Sequence, residues 1–357
     1  MDLEFGVRSS APRSPPHFKP QTSNFTPPLT TPLNRIGVFT SGGDAPGMNA
    51  CIRAVVRRAI SEGLEVVGVR RGFAGMIDGD FVEMDRQSVS NVLQKGGTIL
   101  KSARSQPFQR DPEARARAAA RLREAGVDAL VGVGGDGTFQ GMSCLHDEHG
   151  VPVVGCPGTI DNDLFGTDET IGYDSALNTA LDAIDKIRDT ADAHERLFLV
   201  EVMGRDTGFI ALACGIGGGA ELVLIPEMMT DEAKVREKIL SLMSSQSRSS
   251  IVVVAEGDEV GGAHRLAESL RADPGCAHID TRVTVLGHVQ RGGPPTARDR
   301  VLASRLGNAA VEALLEGHAN VMVGVVNGDI KLTPLKLAWS RKKEIDYDLL
   351  NLTALLS

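Results

Sequence analysis

The feature that most constrains the fold is a regular alternation of short apolar runs with longer helical patterns, which begins at Arg35. The runs are rich in β-branched residues and occupy 36–39, 65–69, 129–133, 153–156, 197–202, 222–225, 251–255, 283–286 and 322–326. Helical spacing of apolar residues occupies 114–125, 175–188, 232–243 and 297–315. This alternation predicts an α/β fold with two doubly wound, mainly parallel sheet domains. A ligand cleft is then expected between the domains, at the carboxyl ends of the strands.

Residues 1–34 contain seven prolines among many serines and threonines and are predicted to form a disordered tail. A targeting or regulatory arm is the alternative interpretation, although the prolines disfavour the amphipathic helix that transit peptides use. The net charge of −8 gives no overall attraction for nucleic acid or for an anionic membrane. Five widely spaced cysteines without a Cys-x-x-Cys pair predict reduced thiols, and no apolar run is long enough to span a bilayer. We therefore expect a cytoplasmic protein.

The first apolar run leads directly into a glycine-rich turn at 40–49, and a helix is predicted to follow from about Ala50. Glycines at a strand-to-helix turn let the backbone approach an anion, and the free N–H groups supply partial positive charge. The turn is a candidate phosphate cradle. A tight turn without a ligand is the competing interpretation, since short glycine motifs match often by chance.

A second glycine turn, Gly-Gly-Asp-Gly-Thr at 134–138, follows the run at 129–133. Its carboxylate, Asp136, is placed where a metal-bound polyphosphate could reach it, and Mg²⁺ commonly takes one or two carboxylates with phosphate oxygens and water. Asp136 is therefore the predicted magnesium ligand, and a helix N-cap role is compatible with that. The same pentapeptide occurs in lipid and dinucleotide kinases, so it indicates a nucleotide-using kinase without fixing the acceptor.

A third turn, Pro-Gly-Thr-Ile-Asp-Asn-Asp at 157–163, follows the run at 153–156. If the segment is extended, Thr159, Asp161 and Asp163 face the same way and converge on one point. One carboxylate could then accept the proton of an acceptor hydroxyl while the other orients it or helps to hold the metal. Turn-forming Asp and Asn residues are the alternative interpretation.

Six ordered motifs make the chain resemble the bacterial-type 6-phosphofructokinase family from about Arg35 to at least Asn327: 40–49, 96–104, 134–138, 157–163, 201–205 and 284–293. The resemblance implies a glycolytic kinase that transfers the γ-phosphoryl of ATP to fructose 6-phosphate with Mg²⁺. It also implies an ATP-binding domain at 35–172 plus about 293–357, and a sugar-phosphate domain at 173–292.

The resemblance assigns Asp161 as the base for the sugar 1-hydroxyl, with Asp163 and Thr159 beside it. It assigns Arg104, with the backbone of Gly43 and with Arg205, to charge on the transferred phosphoryl group. The implied ATP site consists of Gly43, Phe73, Arg104, Ser105, Asp136, Gly137, Thr138 and Gly141. The implied sugar-phosphate site adds Met203, Gly204, Arg205, Glu256, His288 and Arg291, with Arg196 and Arg282 contributed by a neighbouring subunit. A homo-oligomer, in the family a tetramer, follows.

Glycine at both Gly137 and Gly158 favours ATP as the donor, because pyrophosphate-using relatives carry Asp and Lys at these positions. The family's effector site is matched in part, by Arg53, Arg57, Arg86, Arg188 and Glu221. Its other basic positions fall on Ser245, Ser247 and Ser249, so we expect weakened responses to ADP and phosphoenolpyruvate. The basic residue that follows Arg104 in the family's ATP site is either lost at Gln109 or displaced to Arg110.

Three alternatives remain open at this point. A pyrophosphate-dependent phosphofructokinase is the nearest. A lipid or dinucleotide kinase leaves the motif at 288–293 unexplained. A non-catalytic nucleotide-binding subunit conflicts with the intact carboxylates of Asp136, Asp161 and Asp163. No catalytic or binding role is assigned to the segment beyond Gly328, and a packed terminal helix is expected there.

Overall fold

The structure, a computed structural model, describes residues 32–192, 196–244 and 250–356. Within these ranges the strands are β1 Arg35–Thr40, β2 Glu65–Val69, β3 Phe81–Met84, β4 Ala129–Gly134, β5 Val153–Pro157, β6 Leu197–Val202, β7 Leu222–Leu224, β8 Ser250–Ala255, β9 Thr281–Val285, β10 Val321–Val326 and β11 Asp329–Pro334. The helices are α1 Met48–Ser61, α2 Gly72–Asp78, α3 Gln106–Arg110, α4 Pro112–Glu124, α5 Asp136–His149, α6 Tyr173–Asp192, α7 Phe209–Gly217, α8 Glu232–Ser244, α9 Gly262–Ala272, α10 Ala297–Leu315, α11 Leu335–Ser340 and α12 Tyr347–Leu356, with a 3-10 helix at Gly287–Arg291. The predicted tail lies almost entirely outside the described residues.

The first sheet has seven strands within the described ranges, in the order β11-β10-β5-β4-β1-β2-β3. Strands β10, β5, β4, β1 and β2 pair in parallel, and only the edge strands β11 and β3 run antiparallel. The chain winds from β1 to β2 in one direction and from β4 to β5 in the other. The neighbours β1 and β4 therefore form a topological switch point, where α/β sheets open a crevice for ligands.

The second sheet has four strands in the described part of the chain, all parallel, in the order β7-β8-β6-β9. Every residue of β8 is buried, as expected for a parallel strand covered on both faces. The carboxyl ends of β6, β8 and β9 lie side by side at one edge. The α/β class with doubly wound, mainly parallel sheets is confirmed, as are all nine predicted strand runs and all four helical stretches.

The sequence analysis missed β3 and β11, the two antiparallel edge strands. Both are partly polar, so neither has the continuous apolar run that marks a buried parallel strand. A signal for β11 was nevertheless present: Asn327 and Gly328 separate β10 from β11, and both have positive φ, 53° and 84°. An Asn-Gly pair between two strands is typical of a tight hairpin.

The chain ends in two helices that pack on different sheets. Helix α11 packs against α5 beside the first sheet, whereas α12 packs against α7 and β7 of the second. The predicted domain boundaries, which assigned 293–357 to the ATP-binding domain, remain a prediction, and the contacts of α12 belong to the other sheet. No helix in the described ranges is long and apolar enough to cross a membrane.

Candidate active site

The three glycine turns lie together at the carboxyl ends of β1, β4 and β5. The amide of Ser41 donates to the carbonyl of Val133 at 3.1 Å, and the amide of Gly158 donates to the carbonyl of Gly134 at 2.9 Å. A side chain at Gly134 would meet the carbonyl oxygen of Ser41 at 2.6 Å, so only glycine lets these turns approach. Local strand-turn-helix patterns thus become three adjoining turns, linked by backbone hydrogen bonds, at the switch point.

The third turn does not follow the extended path predicted from its sequence. Asn162 has a left-handed backbone, φ 54°, and the chain bends at Ile160 and Asp161. The Asn162 side chain stabilises this bend: its Oδ1 accepts from the amide of Thr170 at 3.1 Å, and its Nδ2 donates to the carbonyl of Asp168 at 3.4 Å. Asparagine tolerates the left-handed region better than most residues. The prediction of an extended segment is wrong, and the two flanking aspartates approach each other through this turn instead.

Asp161 and Asp163 are withdrawn from solvent. Within the described residues, each has an Oδ1 atom that is buried and accepts no hydrogen bond. Burial raises the pKa of Asp161, against the opposing effect of Arg291, whose Nη2 lies 3.9 Å from Asp161 Oδ1. Burial, reinforced by the charges of Asp161 and Asp136, raises the pKa of Asp163 to about 6. Unpartnered acceptors with raised pKa values are suited to receive a proton or to bind a donor from a ligand.

Besides the contact of Arg291 with Asp161, a second ion pair joins the two sheets across the cleft. Arg205, in the turn after β6, places Nη1 3.0 Å from both carboxylate oxygens of Asp136, at the start of α5. Its own backbone is left-handed, φ 56°, and its amide donates to Glu256 Oε1 at 2.8 Å. Thr207 adds a second link, since its hydroxyl donates to the carbonyl of Asp161 at 3.2 Å. A non-glycine residue held at positive φ is typical of functional sites.

The remaining candidates for the sugar-phosphate site lie at the same edge of the second sheet. Met203 and Gly204 follow β6 directly and lead into Arg205. Glu256 follows β8, and its carboxylate holds the Arg205 turn. His288 is exposed on the 3-10 helix after β9, and Arg291 ends that helix with Nη1 donating to the carbonyl of Asp44 at 3.2 Å.

The nucleotide-side candidates line the switch point. Gly43 lies against the Arg291 guanidinium, and Arg104 is exposed at the rim. Ser105 is buried and caps α3 by accepting from the amide of Phe108 at 3.3 Å. Thr138 is buried, and in the described part of the chain its hydroxyl has no partner, whereas the Cα of Gly137 faces open space. Gln109 and Arg110 are both exposed on α3.

Phe108 is a residue of this region that the sequence analysis did not single out. Its ring stacks on Phe73 with centroids 4.0 Å apart, and both rings lie where a side chain on Gly141 would stand. The stack forms an apolar wall beside the glycine turns. Phe108 directly precedes Gln109, the position where the family has a basic residue. Nothing in the sequence around Phe108 distinguishes it from a phenylalanine of the hydrophobic core.

Arg196 and Arg282 lie away from this cleft. Arg196 precedes β6, and Arg282 faces it from β9; both pair with Asp280, Arg196 through Nε at 2.8 Å. The six residues of β6 separate Arg196 from Met203, a distance of roughly 20 Å. The structure therefore places these two arginines at the opposite end of the sheet from Arg205.

The effector candidates form two groups. Arg53 and Arg57 lie one turn apart on α1, and burial, together with the charge of Arg57, lowers the pKa of Arg53. Arg188 pairs with Glu221 at 3.3 Å and donates to the carbonyls of Gly218 and Gly219. Arg86 is exposed after β3. Ser245, Ser247 and Ser249 lie outside the described residues.

Replacing Asp163 by Asn is expected to raise the free energy of unfolding at pH 8 by about 2 kcal/mol. A folded-state pKa near 6 against an ordinary 3.8 means that the ionised form destabilises the folded protein above pH 6. As pH falls from 6 toward 3.8 the folded state gains a proton that the unfolded state lacks, so the parent recovers this stability and the difference shrinks. Denaturant unfolding at pH 8 and at pH 4.5 measures it. A variant less stable than the parent at pH 8 would contradict a destabilising carboxylate.

The carboxylates present fit Mg²⁺ that arrives with a nucleotide. In the described ranges no three His, Cys, Asp or Glu side chains form a metal cage. Mg²⁺ needs only one or two carboxylates when phosphate oxygens and waters complete its shell. Asp136 stands beside open space at Gly137. Asp163 lies close enough to Asp136 that the charge of Asp136 contributes to the raised pKa of Asp163. This donor set suits a phosphate-bound cation rather than an all-protein site.

Glycine turns, buried carboxylates and arginines that meet between two doubly wound sheets define a phosphoryl-transfer enzyme. A sequence profile described as phosphofructokinase matches residues 35–314, so the chain belongs to the phosphofructokinase family. ATP-dependent 6-phosphofructokinase 1 of Thermus thermophilus is 58% identical over 325 residues, which cover 91% of this chain and all of that protein.

Solved structures agree on the fold. Phosphofructokinase from Saccharomyces cerevisiae matches with a TM-score of 0.79 and 36% identity over 90% of this chain, which spans only 46% of the yeast chain. A pyrophosphate-dependent phosphofructokinase from Marinobacter aquaeolei matches with a TM-score of 0.78 at 23% identity, over 88% of this chain and 86% of that one. Since that second likeness concerns the fold alone, the fold does not decide the phosphoryl donor.

Proposed function

We propose that this enzyme transfers the γ-phosphoryl of ATP to the 1-hydroxyl of fructose 6-phosphate, giving fructose 1,6-bisphosphate and ADP, a step of glycolysis. The observation that carries this is the buried pair Asp161 and Asp163, whose Oδ1 atoms accept no hydrogen bond within the described residues and which lies beside Asp136 and the other glycine turns on the first-sheet side of the cleft. The name of the Thermus relative, ATP-dependent 6-phosphofructokinase 1, supports the same donor and acceptor, and this chain covers that protein completely.

Asp161 is the base of the proposed reaction. Its carboxylate accepts the proton of the 1-hydroxyl while that oxygen forms a bond to the γ-phosphorus, and the bond from phosphorus to the leaving oxygen of ADP breaks. Arg291, 3.9 Å away, opposes the effect of burial on the pKa of Asp161 and so favours the ionised carboxylate. Asp163 and Thr159 orient the hydroxyl. Thr159 already accepts from the Asp161 amide at 3.2 Å and so fixes the turn.

Charge on the transferred phosphoryl group is balanced by cations and backbone donors. In the proposal Arg205, Arg104 and the Gly43 backbone serve this purpose, because preorganised donors stabilise developing charge without reorganising. Mg²⁺, when bound through Asp136, would neutralise phosphate oxygens and orient the triphosphate. The nucleotide would further contact Phe73, Ser105, Gly137, Thr138 and Gly141, and the sugar phosphate Met203, Gly204, Glu256, His288 and Arg291.

The experiment that tests this function is a coupled assay of the purified protein with fructose 6-phosphate and Mg²⁺, given ATP or pyrophosphate in turn. We expect turnover with ATP and at least about 100-fold less with pyrophosphate, because Gly137 leaves open space beside Asp136 for the nucleotide. Turnover with pyrophosphate alone would select the pyrophosphate-dependent alternative. No turnover with either donor, with nucleotide still bound, would select a regulatory subunit.

A homo-oligomer is part of the proposal. Arg196 and Arg282 lie at the far end of the second sheet from Arg205, so one chain cannot bring all three to one sugar phosphate. A neighbouring subunit would complete the site, in a tetramer if the family arrangement holds. The proposal also includes the two domains, 35–172 with 293–357 for ATP and 173–292 for the sugar phosphate, and a cytoplasmic location, which suits the five free cysteine thiols.

Mixing two inactive variants should restore activity if the site is shared. We expect Asp161→Asn and Arg196→Ala subunits, dissociated and reassembled together, to reach about one quarter of parental activity at low fructose 6-phosphate, the fraction of sites that receive both intact residues by chance. The matched control mixes Asp161→Asn with Arg205→Ala, whose defects lie in one chain's cleft, and should recover nothing. Mixed activity no greater than the sum of the separate variants would contradict a shared site.

A further inference from the structure

The segment 341–346 between α11 and α12 packs against the chain that directly follows the third glycine turn, 157–163, which is called the catalytic turn below. Helix α11 is anchored on the first sheet, and α12 on the second. Between them, Lys342 forms an isolated antiparallel bridge with Leu164, and the amide of Phe165 donates to the carbonyl of Ala338 at 3.3 Å. The Arg341 guanidinium lies 4.6 Å from the centroid of the Phe165 ring. The turn that carries Asp161 and Asp163 is therefore supported from behind by the end of the chain.

Lys343 is linked to the turn through the carbonyl of Asp168, five residues beyond Asp163. Its Nζ donates to the carbonyl oxygen of Asp168 at 2.5 Å. The same carbonyl accepts from Nδ2 of Asn162, whose left-handed backbone separates the two catalytic carboxylates. The ammonium also lies 5.1 Å from the ring centroid of Phe209, the first residue of α7 on the second sheet. One side chain thus contacts both the carbonyl that holds Asn162 and helix α7, which follows the loop 203–208, called the sugar-phosphate loop below.

The position is an unusual one for a lysine. Its neighbour Lys342 is exposed, whereas Lys343 is half-buried, and burial lowers its pKa to about 8 against the opposing charges of Asp168, Glu169 and Asp163. Within the described residues, none of these carboxylates comes within ion-pair distance of Nζ. Asp168 instead accepts from the amide of Asn327 at 2.7 Å, and Glu169 pairs with Arg298. A withdrawn ammonium without an ion-pair partner is costly to maintain, which favours a functional explanation.

We propose that Lys343 is a positioning residue for the transfer reaction, which holds the Asp161–Asp163 turn through the Asp168 carbonyl and Asn162 and sets its distance from the sugar-phosphate loop through Phe209. The inference rests on the proposed function for its kinetic readout only. Loss of the contact frees the bend at Asn162, so the carboxylates lose their alignment with the acceptor hydroxyl. Misplacement of a catalytic group by a fraction of an ångström to 1 Å lowers the rate of transfer.

The test is a set of three variants in the full-length enzyme. Lys343→Met removes the ammonium at similar volume, Lys343→Arg retains a cationic donor, and Lys342→Met makes the same change at the exposed neighbour. We expect kcat to fall roughly 10-fold in Lys343→Met with KM for both substrates within about twofold, and to recover to within about threefold of the parent in Lys343→Arg. Lys342→Met should match the parent. A merely structural role would not divide kcat from KM in this way.

Two further readouts do not depend on activity. Amide hydrogen exchange in 159–170 should accelerate in Lys343→Met and not in Lys342→Met. Emission of Trp339, the single tryptophan, whose Nε1 donates to Ser143 at 3.4 Å, should stay unchanged and so show that α11 remains docked. Parental kcat in Lys343→Met, or exchange no faster than in Lys342→Met, would overturn the proposal. If the parent lacked activity with ATP and fructose 6-phosphate, the proposed function would fail, and exchange alone would decide the role of Lys343.

Discussion

Replacing Asp161 by Asn should lower kcat about 1,000-fold while KM for fructose 6-phosphate changes less than about threefold. The substitution keeps the shape of the side chain but removes the proton acceptor, and general bases typically contribute 10²- to 10⁴-fold. Binding changes little because the amide can still accept from the 1-hydroxyl, and the contacts proposed for the phosphate end of the sugar are left intact. Steady-state kinetics with both substrates varied separately give the two constants.

The fold should survive this change. Asp161 is buried with a raised pKa, so a neutral amide relieves part of the burial penalty, although Arg291 loses its partner at 3.9 Å. Thermal unfolding of Asp161→Asn within a few degrees of the parent is the control. A variant that keeps more than a tenth of parental kcat would remove Asp161 from its role as base and leave Asp163 as the candidate.

Gly137→Asp should lower kcat/KM for ATP about 100-fold or more without destabilising the protein. The Cα of Gly137 faces open space, so a side chain meets no neighbouring atom within 4 Å. The new carboxylate stands next to Asp136, where the nucleotide's phosphates are proposed to lie, and like charges brought together in a site of low dielectric repel strongly. Kinetics with ATP and with pyrophosphate, together with denaturant unfolding, separate the donor effect from stability.

Gly158→Ala is the informative contrast, because the second glycine that favours ATP stands in a confined place. A side chain there would meet Val133 at 2.8 Å and the amide nitrogen of Gly134 at 3.2 Å. It should destabilise the protein by about 1–3 kcal/mol through overpacking. If Gly137→Asp left ATP kinetics unchanged, the donor would not be selected at this turn, whatever the stability of either variant.

Most of the fold and the three glycine turns of the site could be predicted, because local sequence patterns determine them. Each glycine turn directly follows an apolar strand, and parallel strands bring their carboxyl ends to one edge. Buried parallel strands also carry continuous apolar runs, which is why β4 and β8 were found. The polar edge strands β3 and β11 lack that signal. For β11, the Asn327–Gly328 pair before the strand was the one available indication.

What the sequence could not supply were contacts between residues far apart in the chain. Arg205 meets Asp136 across 69 residues, and Lys343 meets Asp168 across 175. No local pattern encodes such pairs, because they depend on how the two sheets face each other. The path of the backbone at Asn162 was also missed, since alternation along a strand was assumed where a left-handed residue turns the chain.

The contact between Arg205 and Asp136 has a consequence for how two polyanions enter a chain of net charge −8. Both side chains remain about half exposed, so their pairing contributes little stability and is readily exchanged. In the proposed function, a cation bound by Asp136 would release the Arg205 guanidinium, and a sugar phosphate bound by the guanidinium would release Asp136. Binding of either ligand would thereby free the side chain that binds the other. By thermodynamic reciprocity, the gain in binding free energy is the same in both directions. Exchange of partners at this one ion pair would be enough to make the two ligands bind with positive cooperativity.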